Sequence, residues 1–509
     1  MTRIETGIVY LVGAGPGDPG LITVKGKDLL YSCDAVVYDS LIPDELIVTL
    51  PAKVEKHYVG KRGGKENISQ DEINSLLLKL AGEGKFVVRL KGSDPLIFGR
   101  GGEEARFLKK HNIPFEIVPG VTAAIAAATY AGIPLTDREK ASFVIFATGH
   151  KAKEKEQSGV PWKQIARLPG GTLAIYMAVA EIERITDELL DGGMDAAVPA
   201  AIIERGTFPT MRTIISTLGN LPQDAKENRI KAPAIFLVGH AIELKKTMEW
   251  ISSKPLWGKR VMVTRPGHQA REMYERLRMH GAEVLAYPTI AVKEIVDDTG
   301  WKQLKNIMAD DKWLLFTSEN GVEYFIRQYL GYFRDIRTLS QYKIARMGYG
   351  TLRALQRHHL ADDYAPEKSS SLALAEGLIA EKDIKGSIII RVAGAQDTDP
   401  VAKMLETAGA RVIPVIVYKT TFIYWPDESK EKLFEHPPDY IIFTSGRAVD
   451  GFMVNFDKDE LKWLTEKAKI ISIGKTTSKV IEACGLNVAY EARTPSIESV
   501  VDELAAWAG

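Results

Sequence analysis

Short β-branched apolar runs alternate along the whole chain with segments whose apolar residues recur at helical spacing. GIVYLVG, AVVYDSL, FVVRLKG, SFVIFATGH, TLAIYMAV and APAIFLVG read as strands, and SQDEINSLLLKLAGEG as an amphipathic helix closed by glycine. This alternation predicts α/β architecture with largely parallel sheets. The first apolar run breaks at glycine within six residues, which suits a buried strand rather than a signal peptide. The most apolar stretch, VTAAIAAATYAGIPL, is too short and too interrupted to span a bilayer. Residues 249–260, EWISSKPLWGKR, carry a serine pair, Pro255 and Gly258 and read as a linker.

Beyond that linker the chain repeats itself. LLFTSENGVEYF (314–325) returns as IIFTSGRAVDGF (441–452), and KIARMGYGTLRALQRHHLADDY (343–364) as KIISIGKTTSKVIEACGLNVAY (469–490). The second pair matches at Gly348/Gly474, Thr351/Thr477, Leu360/Leu486 and Tyr364/Tyr490, and VMVTRPG…GAEVLAYP echoes IIIRVAG…GARVIP. Three matched segments in one order predict two similar α/β lobes facing a cleft, where the carboxyl ends of parallel strands bind ligands.

Composition narrows the function. A chain of 509 residues has room for roughly three to five domains, and 45% hydrophobic with 26% charged residues suits a globular protein. The 66 basic and 66 acidic residues cancel, which disfavours nucleic acid as the main partner. Two distant cysteines, Cys33 and Cys484, fit a reducing compartment without disulfides, so a cytoplasmic location is expected. No His, Cys, Asp and Glu cluster has metal-ligand spacing, and no metal is expected.

The first half concentrates its unusual sequence in VYLVGAGPGDPG and VVRLKGSDPLIFGRGGEE. The first of these is a weak glycine-loop signal, because its prolines do not suit a loop opening directly into a helix. Asp39 ends a strand in VVYDSL and Lys61 lies in VGKRGG; a turn aspartate and a solvated lysine are the plain readings. With VPGVTAAIAAATYAGIPLTDR, ATGH, IYM and ERGT following in order, residues 5–245 closely resemble uroporphyrinogen-III C-methyltransferase of the tetrapyrrole methylase family. The resemblance implies two α/β subdomains divided near 118–122 that bind S-adenosylmethionine between them and methylate uroporphyrinogen III twice, giving precorrin-2. By motif, Pro16, Gly92, Ser93, Asp94, Ile97, Thr122, Ala123, Met177 and Gly206 are expected to contact the cofactor. Asp39 matches the family's proton acceptor and Lys61 its proton donor. Arg100, Lys61, Arg62 and Arg138 are expected partners for the substrate's carboxylates, arginine through bidentate pairing; Arg100 has Glu103 and Glu104 as alternative partners. Two positions depart from the family pattern, Ser93 standing for a glycine and Asp137 for a histidine.

After a linker at 246–257, residues 258–509 resemble uroporphyrinogen-III synthase through VTRP, FTSENGV, RMGYGT, PVIVYKT, FTSGRAV and SIGKTT. The resemblance implies cofactor-free closure of hydroxymethylbilane to uroporphyrinogen III, with the last ring inverted and water lost. It also implies one lobe from 258–293 with 422–509 and another from 294–421. Thr317, Ser318, Thr444 and Ser445 stand at strand-to-helix turns, where hydroxyls and free N–H groups bind anions or simply cap helices. Thr476 and Thr477 are further carboxylate-binding candidates, and Tyr418 is either a hydrogen-bond donor to the departing hydroxyl or a packed lid. The expected whole is a bifunctional tetrapyrrole enzyme acting on small molecules, without nucleic-acid or membrane partners, and a homodimer through its first half. The alternative is a different tetrapyrrole or RNA methylase fused to a non-catalytic two-lobed binding module.

Overall fold

A computed structural model of the chain describes residues 7–51, 53–60, 68–150, 159–305, 307, 311–368, 370–395 and 400–508. The first sheet comprises β1 (Ile8–Gly13), β2 (Ala35–Tyr38), β3 (Glu55–Tyr58), β4 (Phe86–Lys91) and β5 (Phe115–Val118), ordered β3-β2-β4-β1-β5 and parallel throughout. Apolar clusters cover both of its faces, which is why its central strands read as continuous apolar runs. The helix Gln70–Gly82 opens on a capping box, Ser69 and Glu72 each satisfying the other's backbone N–H.

The second sheet comprises β6 (Phe143–Thr148), β7 (Gly171–Tyr176), β8 (Pro199–Glu204), β9 (Arg212–Thr217) and β10 (Ala234–Val238), ordered β6-β7-β10-β8-β9. Here the expectation of parallel strands fails, because only β6 and β7 run parallel. The short segment between β8 and β9 cannot make the crossover a parallel pair requires, so the chain turns back on itself.

The second half holds β11 (Arg260–Val263), β12 (Glu283–Ala286), β13 (Ile290–Glu294), β14 (Lys312–Phe316), β15 (Lys343–Arg346), β16 (Ile388–Gly394), β17 (Arg411–Phe422), β18 (Tyr440–Phe443), β19 (Lys469–Ser472) and β20 (Val488–Glu491). They form two sheets, β12-β11-β18-β19-β20 and β13-β17-β16-β14-β15. The sequence repeats coincide strand for strand: β14 and β15 match β18 and β19, and β16 and β17 match β11 and β12. Even the Tyr364/Tyr490 match holds, with Tyr364 bridging Ala345 of β15 and Tyr490 pairing with Ile471 of β19. Alternate residues of β14 enter opposite cores, Leu314 and Phe316 one, Trp313 and Leu315 the other. Two chain crossings join the lobes side by side, Ile423 N donating to Thr289 O at 2.9 Å.

The linker region is tied at both ends. Trp250 Nε1 donates to Thr129 O at 3.0 Å, and Leu256 is wholly buried in the core of the β11 sheet.

Candidate active sites

The carboxyl ends of β1, β4, β5, β7 and β8 converge on one crevice in the first half. β1, β4 and β5 meet there backbone to backbone: a Cβ on Gly13 would stand 2.7 Å from Gly120 Cα and from Ser93 O, and Ser93 N donates to Gly15 O at 2.8 Å. Asp94 stitches this floor together. Its Oδ1 accepts from Leu96 N and Ile97 N at 2.8 and 3.1 Å, and its Oδ2 from Gly120 N at 3.0 Å. On the opposite wall the buried Tyr176 hydroxyl bridges Thr122 Oγ1 at 2.7 Å and Ala124 N at 3.0 Å, starting the helix Ala123–Tyr130. That helix lies so close to the turn after β8 that a Cβ on Gly206 would meet Ala127 Cβ at 2.4 Å.

Two features mark the crevice as more than packing. Ten described non-glycine residues have positive φ, and six of them lie in these loops: Ser93, Phe98, Arg100, Met177, Arg205 and Thr207. Left-handed backbone is costly for such residues, and its concentration is a signature of ligand sites. Leu96, Ile97, Phe98 and Met177 are all exposed, Phe98 within 4.9 Å of the Tyr176 ring, so apolar side chains line the strand ends instead of a core. Gly92, pressed against Leu41, and half-buried Pro16 and Ala123 complete the rim. Backbone brought near by glycine, apolar side chains and hydroxyls suit an adenosyl sulfonium. Pro16, Gly92, Ser93, Asp94, Ile97, Thr122, Ala123, Met177 and Gly206 all belong to this one surface.

Beneath the crevice lies a charge network that the sequence reading missed. Glu104 is 0% exposed and accepts from Lys91 Nζ at 2.9 and 2.8 Å, from Arg89 Nε at 3.3 Å and from Gln70 Nε2 at 3.1 Å. Arg89, 4% exposed, also donates to the carbonyls of Val37 and Leu90, and its Nη2 reaches Asp39 Oδ2 at 3.2 Å. Burial and the neighbouring Arg89 hold the Lys91 ammonium below the ordinary lysine range, with Glu104 opposing them. Asp39 therefore stands at the end of β2 with Oδ1 on Leu41 N at 3.1 Å and Oδ2 on a buried arginine. It is more than a turn residue, since a buried cation fixes its direction.

The other cations are placed differently. Arg100 is exposed and pairs with Glu103 at 2.8 Å, not with the buried Glu104. Arg138 is exposed on a turn capped by Asp137, whose Oδ1 accepts from Glu139 N and Lys140 N. Lys61 and Arg62 lie outside the described residues.

In the second half, Ser318 caps the helix Glu319–Phe333, accepting from Gly321 N at 3.0 Å, and its Oγ is 3.1 Å from the Tyr418 hydroxyl. The Tyr418 ring is buried inside β17, and Gly394 clears its space, since a Cβ there would sit 2.7 Å from the ring. Ser445 repeats the cap in the other lobe, accepting from Ala448 N at 3.2 Å. Thr317 and Thr444 are half-buried beside these caps, Thr477 is buried and Thr476 exposed in the helix Lys475–Ala483. Ion pairs join the lobes: Arg265 at the end of β11 meets Glu319 at 3.1 Å, and Arg353 meets Glu272 at 3.3 Å. Gln269 and Asn320 hydrogen-bond across the same gap. Arg265 is a further residue missed from sequence. Burial lowers its pKa from the usual guanidinium value, and its Nε finds no partner among the described residues. An arginine directly after an apolar strand, in VTRP, was the available signal.

Among the described residues no group of three or more His, Cys, Asp or Glu could hold a metal ion, and no helix is long and apolar enough to cross a membrane.

Comparison with known proteins matches the two halves to different families. The family model of tetrapyrrole (corrin/porphyrin) methylases matches residues 8–222, and that of uroporphyrinogen-III synthase HemD matches residues 271–502. Over 502 residues the chain is 38% identical to the porphyrin biosynthesis protein HemD of Ruminiclostridium josui, covering 98% of each. Over 238 residues it is 48% identical to the S-adenosyl-L-methionine-dependent uroporphyrinogen III methyltransferase of Methanosarcina barkeri, covering 47% of this chain and 93% of that one. The crystal structure of uroporphyrin-III C-methyl transferase from Thermus thermophilus, complexed with S-adenyl homocysteine, covers 47% of this chain and 94% of its own with 38% identity and a TM-score of 0.40.

Proposed function

We infer that this chain, which belongs to the family of porphyrin-biosynthesis proteins joining a tetrapyrrole methylase to a uroporphyrinogen-III synthase, performs two consecutive steps. The second half closes hydroxymethylbilane to uroporphyrinogen III, inverting the last ring and losing water. The first half then methylates uroporphyrinogen III twice, giving precorrin-2. The observation that carries this reading is two separate clusters at strand carboxyl ends, one of strained backbone and exposed apolar side chains, the other of hydroxyls and arginines where the two lobes meet.

In the first site, the loops after β1, β4, β5, β7 and β8 would hold S-adenosylmethionine, whose sulfonium supplies an electrophilic methyl group. Catalysis there is mainly positioning. Asp39, oriented by Arg89, is assigned as the proton acceptor once the pyrrole carbon has been methylated. Lys61 is assigned as proton donor by resemblance, and Arg62, Arg100 and Arg138 as carboxylate partners. In the second site, Arg265 and the hydroxyls of Thr317, Ser318, Thr444, Ser445, Thr476 and Thr477 hold substrate carboxylates. The Tyr418 hydroxyl, paired with Ser318 Oγ, donates a hydrogen bond to the departing hydroxyl. No cofactor is assigned to this half. The working division is 5–245, a linker at 246–257 and 258–509, with lobes of 258–293 plus 422–509 and of 294–421. The methylase resemblance favours a homodimer through the first half.

The purified chain, given hydroxymethylbilane anaerobically, should form isomer-III uroporphyrinogen without S-adenosylmethionine and a dimethylated product with it. Asp39→Ala should abolish methylation and leave closure intact, while Tyr418→Phe should slow closure alone. Equal loss of both activities in a folded Asp39→Ala protein would refute the two-site assignment.

A further inference from the structure

The second half touches the first through β12 and the helix Gly267–Met279, and one side chain of that helix reaches the glycine-rich loop. Arg278, 19% exposed, places Nη2 2.9 Å from Glu45 Oε1 and Nη1 3.7 Å from Asp18 Oδ1. Its Nε donates to the carbonyl of Tyr274 one turn earlier at 3.3 Å, which fixes the direction of the guanidinium.

Asp18 is the knot of the crevice. Its Oδ1 accepts from Gly20 N at 2.7 Å and so caps the turn Pro19–Leu21. Its Oδ2 accepts from the Tyr130 hydroxyl at 2.6 Å, at the end of the helix that Thr122 begins. Its backbone N donates to Thr207 Oγ1 at 3.0 Å, next to Gly206. Three segments of the proposed cofactor surface are thus tied to one residue, two of them through its carboxylate. Below the Pro19–Gly20 turn a cavity of about 130 Å³ separates the halves, lined also by Lys27, Glu45, Arg271 and Arg278. The turn has room to sink there if Arg278 is withdrawn. Other contacts across this boundary, Lys27 with Glu275 at 3.8 Å, Arg205 with Glu283 at 3.5 Å and Arg271 over the Tyr31 ring at 5.9 Å, do not bond Asp18.

We propose that Arg278, a residue of the synthase half, is a positioning residue for the methyltransferase half: it braces Asp18 and so holds the glycine-rich loop in its cofactor-binding shape. This rests on the reading that the first half binds S-adenosylmethionine.

The test is calorimetric titration of S-adenosylhomocysteine into the full-length protein and its Arg278→Ala, Arg278→Gln and Arg271→Ala variants. The two Arg278 variants should bind about fivefold more weakly, the low end of coupling between sites, and Arg271→Ala should bind like the parent. In methylation assays on supplied uroporphyrinogen III, the Arg278 variants should raise KM for S-adenosylmethionine by a similar factor, with kcat and ring closure kept. Parent-like affinity in the Arg278 variants overturns the proposal, and so does an equal loss in Arg271→Ala, which would make the effect one of docking in general. If Arg278→Ala fails to fold, Arg278→Gln, which keeps the aliphatic stem, decides. A parent protein that does not bind S-adenosylhomocysteine refutes the underlying cofactor reading instead.

Discussion

Glu104→Gln should destabilise the first half severely, although the substitution changes shape very little. In the folded chain Arg89 and Lys91 carry two positive charges against Glu104 and Asp39, and Glu104 itself has no exposure. Neutralising it leaves two buried cations facing one partly exposed carboxylate. At an effective dielectric near 20, opposite charges 2.8 Å apart attract by roughly 6 kcal/mol, part of which desolvation offsets. Removing one partner of such a buried pair typically costs about 3–5 kcal/mol. For a unit of this size each kcal/mol moves the melting temperature by about 2–4 °C, so a fall of roughly 6–20 °C is expected. Scanning calorimetry of the full chain checks this, with the second half's transition as internal reference. The double variant Lys91→Met/Glu104→Leu removes cation and anion together and should recover most of the loss, since Arg89 keeps Asp39 and two carbonyls. A Glu104→Gln protein melting within about 2 °C of the parent, a loss under about 1 kcal/mol, would refute the network as a load on the fold.

Ser93 adopts φ 64°, which costs a side-chain-bearing residue about 1–2 kcal/mol, against a glycine entropy penalty of about 0.5–1 kcal/mol. Ser93→Gly should therefore raise the first half's melting temperature slightly and preserve S-adenosylhomocysteine affinity; a lower melting temperature would contradict this. Gly206→Ala should cost about 1–3 kcal/mol by driving a methyl into Ala127, and the pair Gly206→Ala/Ala127→Gly should restore cofactor binding while remaining about 1 kcal/mol less stable from glycine in a helix. Burial pushes the Glu45 carboxyl up to about 7 from 4.5, with Arg278 opposing and Asp18 and Glu275 adding to the rise. Because the folded value is the higher, this contribution is complete below pH 4.5 and is lost as pH rises through 7, a span on the order of 3 kcal/mol. Melting curves between pH 5 and 8 should show the decline, and Glu45→Gln should flatten it; an identical profile in the variant would remove Glu45 as its source.

What the sequence disclosed depended on whether a signal was local. Runs such as FVVRLKG identify β4 because both faces of a parallel strand are apolar. The charges inside that run, Arg89 and Lys91, are legible only with the partner that balances them, fifteen and thirteen residues away. One clue was within reach: Glu104 falls on the same stripe as Ala105 and Leu108 in the helix Gly101–Lys110, whereas Glu103 falls off it. Helix phase thus distinguishes the buried glutamate from the one that Arg100 takes at the surface. The antiparallel strands β8 and β9 escaped for a different reason. PAAIIE and RTIIST are unremarkable runs, and their direction is set by the length of the turn between them.

The duplicated lobes show where chemistry departs from folding. Both copies retain the strand, the serine cap and the helix that follows, because Ser318 and Ser445 do the same local work for helix N-termini. Only Ser318 is joined by a phenol; none among the described residues bonds Ser445. The difference lies in the strands that correspond by repeat. β12 stops after four residues, whereas β17 runs for twelve, and its added length carries Tyr418 to a register opposite Glu294 of β13 and Gly394 of β16. The missing side chain of Gly394 then gives the ring its place. A phenol at this spot depends on two local changes absent from the other lobe, a longer strand and an added antiparallel neighbour, together with a glycine that the repeat also carries as Gly267. The repeat therefore locates the two serine caps proposed to hold carboxylates, and the break in the repeat locates the phenol assigned to the departing hydroxyl.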